Sequence, residues 1–511
     1  MTRRRAATAA AVVAAVLAGC TAQGAEVRPA PTTAEGYRAQ ELDWGPCAPF
    51  ARTDDDRRSF DSTGFDCAWL AVPLDHDRPA GTAIRVGVLR RAAADPDRRV
   101  GALVVNPGGP GASGMSAVAG IARRLPVGEL ADRFDLVGFD PRGVGASDPA
   151  VRCSTSAERD AERLDTDLDT SPAGVAATEA EERGFALRCA ERTGAEVLAR
   201  LGSRDVARDV DVLRAALREP GLTYLGYSYG TRIGAAYLAE FPEHVRAVVL
   251  DGAVDPRRDG AEALVAQAEG FQRAFDAFAR WCATGPECPL GPDPRRGFPE
   301  IVAPLADAPV PAGDGRVLGR PDAVTGTLQA LYSPRLWDAL LRGLTELGTG
   351  RGDTLLALAD AYHDRQEDGS YTNASDVLTA VRCIDDERPD PGRAAETDAR
   401  IRVVAPFLDD GSPPSPARGP CAFWPAPAQE QVAETGAGAP TVVVVSTTGD
   451  PATPHEAGVR LAEALTARLV TVEGDQHTAV LSGIACLDVP VLRYLVDPRE
   501  LPPAGLRCPA G

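Results

Sequence analysis

Two glycines bracket a serine in Gly226-Tyr227-Ser228-Tyr229-Gly230. A serine hydroxyl is a weak nucleophile, and it attacks a carbonyl only when a base takes its proton and a third group orients that base. Candidates for both lie downstream. Asp450 ends the run TVVVVSTTGD, where a strand gives way to a loop, and His477 follows the next strand-like run in EGDQHTAV. Nucleophile, acid and base in that order, each just past a strand, make a serine triad on a strand, turn and helix scaffold. The other titratable candidates fit less well. His455 is five residues past Asp450 in the first turn of an expected helix, and Asp475 is too near His477 in sequence to serve as its acid. His76, His244 and His363 are read as structural.

Acyl transfer also needs donors for the oxygen that becomes negative. The backbone N–H of Tyr229, just after the serine, is one. The loop VVNPGGPGASG supplies the other, with Gly109 as the expected donor. The same loop carries Gly109, Gly111 and Gly114 in the G-x-G-x-x-G spacing of a dinucleotide fingerprint. Pro107 and Pro110 count against that alternative, because neither ring nitrogen can donate to a pyrophosphate. No C-x-x-C pair exists and the five histidines are scattered, so neither a metal site nor a cofactor is expected.

These residues need a scaffold that brings strand ends together. Between residues 82 and 251 strand-like runs (AIRVGVLR, GALVVN, FDLVGFD, LTYLGYS, VRAVVLDG) alternate with helix-like ones. One of the latter places Val206, Val210, Leu213 and Leu217 on a single stripe. Such alternation predicts an α/β fold with a mostly parallel sheet and helices on both faces. From about Pro256 the rhythm stops. Helical patterns such as AEALVAQAEGFQRAFDAFARW and PRLWDALLRGLTEL take over, broken by Pro- and Gly-rich loops, before strands return at PTVVVVSTTGD and RLVTVEGD. The expected organisation is a leader at 1–19, a flexible tether at 20–36, a core at 37–255, a helical lid insertion at 256–435 and the rest of the core at 436–511. Arg142, in DPRGVGAS, is expected to brace a turn through an ion pair, the alternative being a part in shaping the site.

Composition narrows the partners. The net charge is −19, all 54 basic residues are arginine, and no arginine stripe interleaves with aromatics, so nucleic acid is not an expected partner. The start, MTRRRAATAAAVVAAVLAGC, joins a basic end to an Ala/Val run too short to span a bilayer, which reads as an export signal. Its ending LAGC resembles a bacterial lipoprotein box, which implies cleavage before Cys20, lipidation of that thiol and a place on the outer face of the cell membrane; an ordinary signal peptide cut nearby is the alternative. Ten further cysteines, an even count in an exported chain, read as disulfides. Connectivity is not fixed by sequence, but pairing neighbours (47 with 67, 153 with 189, 282 with 288, 383 with 421, 486 with 508) closes five short loops.

Together NPGGPG, GFDPRGVGAS, GYSYG, DGAVDP, GDPATP and the tail CLDVPVLRYLVDPRELPPAGLRC resemble, in order and over nearly the whole mature chain, the exported tripeptidyl-aminopeptidase-like serine hydrolases of actinobacteria, an α/β-hydrolase branch related to prolyl aminopeptidases. The resemblance implies Ser228 as nucleophile, Asp450 as acid, His477 as base, and Thr453 as a support for the acid's loop. It departs at NPGGPG, where the prolyl enzymes carry histidine before the glycines. It implies peptide substrates with free N-termini, whose ammonium needs carboxylates; Asp385, Asp386 and Glu387 in RCIDDE are candidates, a solvated acidic loop being the alternative. A carboxylesterase or lipase would use the same triad, and a binding lipoprotein on the same scaffold is the non-catalytic alternative.

Overall fold

The computed structural model describes residues 30–61, 64–125, 128–166, 169–255, 257–285, 288–388, 390–429 and 438–510. The leader and Cys20 lie outside them. The strands are β1 (Phe65–Pro73), β2 (Ala83–Arg91), β3 (Gly101–Asn106), β4 (Phe134–Phe139), β5 (Leu222–Tyr227), β6 (Val245–Asp251), β7 (Val310–Pro311), β8 (Val317–Leu318), β9 (Val443–Thr447), β10 (Arg468–Glu473) and β11 (Arg507–Pro509). Nine of them form one sheet in the order β1-β2-β4-β3-β5-β6-β9-β10-β11, while β7 and β8 make a separate hairpin. Pairing is antiparallel between β1, β2 and β4 and parallel from β4 to β11. Every residue of β3, β4 and β9 is buried, as expected for parallel strands covered on both faces.

The strand order places the chemistry. From β3 the chain moves outward to β4 and then returns to the other side of β3 as β5, so the loops leaving β3 and β5 diverge and leave a crevice between them. Asn106 is in register with Gly226, which sets Gly108-Gly109 and Ser228 side by side at that switch point.

Two apolar clusters cover the faces of the sheet. One includes the stripe Val206, Val210 and Leu213 from helix Ser203–Ala216, and the other includes Leu487, Val491 and Tyr494 from helix Ala485–Val496. Between β6 and β9 the described residues include the β7/β8 hairpin and the helices Gly260–Cys282, Pro294–Val302, Arg320–Leu331, Trp337–Leu347, Asp353–His363, Ala374–Asp385 and Pro391–Val404. Much of this region packs on its own cluster around Phe275, Phe278, Phe298 and Phe407. Helix Ala374–Asp385 does not: its Val377, Ala380, Val381 and Ile384 join the cluster on the sheet.

All five neighbour pairs of cysteines are disulfides: Cys47–Cys67, Cys153–Cys189, Cys282–Cys288, Cys383–Cys421 and Cys486–Cys508. One segment differs from expectation. Residues 34–36, assigned to the tether, open helix Ala34–Ala39, because the Thr33 hydroxyl accepts the Gly36 N–H and Tyr37 is fully buried against the core. Among the described residues no helix is long and apolar enough to cross a membrane.

Candidate active site

At the end of β5 the chain turns sharply into helix Tyr229–Glu240, and Ser228 takes φ 52° and ψ −123°, a conformation that costs an L-residue about 1–3 kcal/mol. Local bonds hold it there. The Ser228 N–H donates to the Asp251 carbonyl at 2.8 Å, and the Ser228 carbonyl accepts the Thr231 N–H at 2.8 Å and its hydroxyl at 2.7 Å. The turn is also tight. A Cβ on Gly226 would stand 2.5 Å from the Gly230 carbonyl, and one on Gly108, at φ +93°, would stand 2.5 Å from the Tyr227 carbonyl and 2.9 Å from Ser228 Cβ. The glycines let backbone approach the serine where side chains would collide.

The candidate acid and base come from the loops after β9 and β10. Asp450 is completely buried, and its carboxylate accepts the N–H groups of Ala452 and Thr453 at 2.9 and 2.8 Å and the Thr453 hydroxyl at 3.0 Å. His477 Nδ1 lies 2.9 Å from each Asp450 oxygen, so Nδ1–H donates and Nε2 is left as the basic nitrogen. Burial pulls the His477 imidazole down, but the Asp450 charge, its hydrogen bond and the nearby Asp251 more than offset this and hold it above the usual histidine range. The insertion reaches this histidine too. Its N–H donates to the Tyr332 carbonyl at 2.9 Å, and the two rings meet edge to face at 5.4 Å. Among the described residues no hydrogen bond joins Ser228 Oγ to His477. In unliganded hydrolases that bond is commonly long and closes when substrate arrives.

Ser228, Tyr229 and Gly109 line one cavity of about 430 Å³ with Thr453, Tyr332 and Tyr362. The Gly108 amide donates to Asn106 Oδ1 at 3.0 Å, and Pro107 and Pro110 have no amide hydrogen, so Gly109 is the residue of that stretch whose N–H meets no acceptor among the described residues. The Tyr229 N–H, in the first turn of its helix, has no intrahelical acceptor. Two residues whose N–H groups meet no acceptor among the described residues, Gly109 and Tyr229, thus line the cavity together with Ser228, with Tyr229 at the positive end of its helix.

The remaining predicted residues fall in different places. Asp385 and Asp386 line the cavity, but both face Arg232: its Nη1 is 3.0 Å from Asp386, and its Nε is 3.8 Å from Asp385. Asp385 also accepts the Ser203 N–H at 2.9 Å and the Ser203 hydroxyl. Glu387 lines the same cavity and makes no ion pair among the described residues. Arg142 is buried far from solvent, paired with Asp209 at 2.6 Å and donating to the carbonyls of Leu74, Pro73 and Arg200, so it braces the turn. His76 joins that cluster through Asp209, His244 pairs with Asp211, His363 approaches Asp322, and His455 bonds Ser446. No group of metal-binding side chains occurs among the described residues. Asp251 and Tyr332 are contacts that sequence reasoning missed. Asp251 had one visible signal, an acid closing an apolar strand in AVVLDG; Tyr332 had none.

The profile of the alpha/beta hydrolase fold family matches residues 101–484. Serine protease Hip1 of Mycobacterium tuberculosis is 45% identical over 512 residues, covering 98% of this chain and 96% of the relative. Carboxylesterase B of the same species is 46% identical over 92% of this chain and 90% of its own. Tripeptidyl aminopeptidase of Streptomyces lividans is 32% identical over 85% of this chain and 82% of its own.

Proposed function

The chain belongs to the α/β-hydrolase family and is a serine peptidase, and on that premise we propose that it is an exported, lipid-anchored aminopeptidase that releases short peptides, tripeptides foremost, from free N-termini. Ser228 Oγ attacks the scissile carbonyl while His477 Nε2 takes its proton, and Asp450 holds the imidazole in that tautomer and stabilises the imidazolium. The tetrahedral oxygen is received by the N–H groups of Tyr229 and Gly109. His477 then returns the proton to the departing amine, and water, activated by the same nitrogen, frees the acyl group from Ser228. No metal or cofactor takes part in these steps.

The observation that carries this reading is the Asp450–His477 pair at 2.9 Å beside a serine held in a strained turn at the sheet's switch point. The substrate ammonium is received at Glu387, with Asp386 beside it, so that the carboxylates meter the distance from the N-terminus to Ser228. Five disulfides support an oxidising compartment, and the basic, Ala/Val-rich start with its LAGC box supports a lipid anchor on Cys20 at the outer face of the membrane.

A fluorophosphonate probe should label the protein, and Ser228→Ala should abolish labelling; retained labelling in that variant would remove Ser228 from the reaction. The second reading, a carboxylesterase, is favoured by the relative of that name. Free tripeptide anilides, their N-blocked counterparts and short acyl esters separate the two. Turnover confined to esters would replace the aminopeptidase reading, and labelling by palmitate in the bacterial host, lost in Cys20→Ala, tests the anchor.

A further inference from the structure

The residue that closes β6 touches both halves of the site. From its position we infer that Asp251 is a positioning residue for His477, setting the base at a fixed spacing from Ser228 and presenting it with a second carboxylate. The inference rests on His477 being the base, as proposed above.

The geometry is specific to one residue. The Asp251 carbonyl accepts the Ser228 N–H at 2.8 Å, while its carboxylate Oδ2 accepts the N–H groups of Ala479 and Val480, both at 2.7 Å. Those amides lie two and three residues past His477, so one side chain pins the loop that carries the base. The next residue continues the contact. Gly252, at φ +70°, donates its N–H to the Val445 carbonyl at 3.2 Å, and a Cβ there would lie 3.2 Å from His477 Cε1 and 2.9 Å from Thr478 Cγ2. The end of β6 is thus packed against the imidazole itself.

Two amides need only a neutral acceptor, yet the residue is a fully buried acid whose other oxygen, Oδ1, has no hydrogen-bond partner among the described residues. A half-satisfied buried carboxylate is costly to keep ionised. Burial pushes the Asp251 carboxyl up to about 6, with Asp450 adding to the rise and the two amides and His477 opposing it. The charged and titratable groups around it are His477 from the loop after β10, Asp450 from the loop after β9, and Tyr227 at the end of β5, whose hydroxyl donates to the Val480 carbonyl at 3.0 Å. Its charge therefore adds to that of Asp450 in favouring the imidazolium.

The test compares Asp251→Asn with Asp251→Ala on a tripeptide anilide across pH. Asparagine can still accept both amides through Oδ1 but carries no charge. Asp251→Asn should keep kcat within about threefold at pH 8, while the acid limb of kcat/KM moves to lower pH, because the imidazolium has lost a stabilising charge. Asp251→Ala frees the loop, and kcat should fall about 10- to 100-fold with KM little changed, since the buried amides are left without an acceptor. An unmoved limb in Asp251→Asn, or wild-type kcat in Asp251→Ala, overturns the inference. Should the alanine variant fail to fold, the limb of the asparagine variant decides alone. His477→Gln is the control that keeps the two readings apart: activity there would overturn the triad, whereas an inactive His477→Gln beside an unmoved Asp251→Asn limb would remove only Asp251.

Discussion

The strand-end site and the helical region between β6 and β9 are held by different means. Around Ser228 the constraints are mostly backbone: a positive φ, carbonyls from Asp251 and Ser228 itself, and glycines that admit neighbouring chain within van der Waals contact. Across the helical region they are mostly side chain: stacked aromatics such as Phe275 on Phe407, buried pairs to the core such as Asp322 with Arg163, and the disulfides Cys282–Cys288 and Cys383–Cys421. A backbone-held site tolerates little displacement, as bond-making chemistry requires. A side-chain-held roof can be redrawn residue by residue without moving the strands beneath it, which suits it to choosing substrates. The two regions meet at Tyr332, whose carbonyl receives the His477 N–H, and at helix Ala374–Asp385, which packs on the sheet while lining the cavity.

That contrast predicts a steep gradient of effects. At the top, Ser228→Ala should reduce kcat about 10⁴-fold or more, and Asp450→Asn about 10³- to 10⁴-fold by allowing the wrong His477 tautomer, with KM nearly unchanged in both. A modest loss in Asp450→Asn would mean that another group orients the imidazole. Next, Thr453→Val removes one hydroxyl from the Asp450 carboxylate and should cost about 10- to 100-fold in kcat, read in the same assay. Gly108→Ala would drive a methyl group into the Tyr227 carbonyl, and we expect a loss of about 2 kcal/mol in urea unfolding together with reduced labelling of Ser228. In the roof, Glu387→Gln should leave kcat within about twofold and raise KM about tenfold for free N-termini but not for blocked ones. A fall in kcat instead would erase the division between the regions.

The pH dependence follows from the same site. His477 must be neutral to accept the serine proton, and its imidazole is held above the usual histidine range. Activity should therefore be full at alkaline pH and decline as pH falls through that raised value, the limb lying higher than for an ordinary histidine. Asp450→Asn should lower the limb in whatever activity remains, because it removes the principal charge favouring the imidazolium.

Much of the sheet was legible because parallel strands buried on both faces leave apolar runs, as in Val443-Val444-Val445, ended by the polar residues that work at their tips. The candidate triad was legible for the same reason: Ser228, Asp450 and His477 each follow such a run. β1 left a weaker trace, since it is an edge strand whose Asp66 and Trp69 are only half-buried, and β11, at three residues, is too short to show a period. Helix Pro172–Thr193 went unread because its surface is largely solvated and carries no apolar stripe. Gly108 packs against the Tyr227–Ser228 turn and gives its N–H to Asn106, while the Gly109 N–H meets no acceptor among the described residues; that division depends on two dihedral angles and on Asn106, none of which a glycine-rich string reveals. Arg232 between Asp385 and Asp386 illustrates the roof, where partners 153 and 154 residues apart leave no local pattern.

The proposed chemistry needs three side chains to converge from the loops after β5, β9 and β10. A crystal structure of the protein phosphonylated on its serine measures that convergence directly. We predict the phosphorus bonded to Ser228 Oγ, its anionic oxygen within about 3 Å of the Tyr229 and Gly109 nitrogens, and His477 Nε2 within hydrogen-bonding reach of Ser228 Oγ while Nδ1 stays on Asp450. An adduct on another residue, or an imidazole turned beyond reach of Ser228 even through a bridging water, would contradict it.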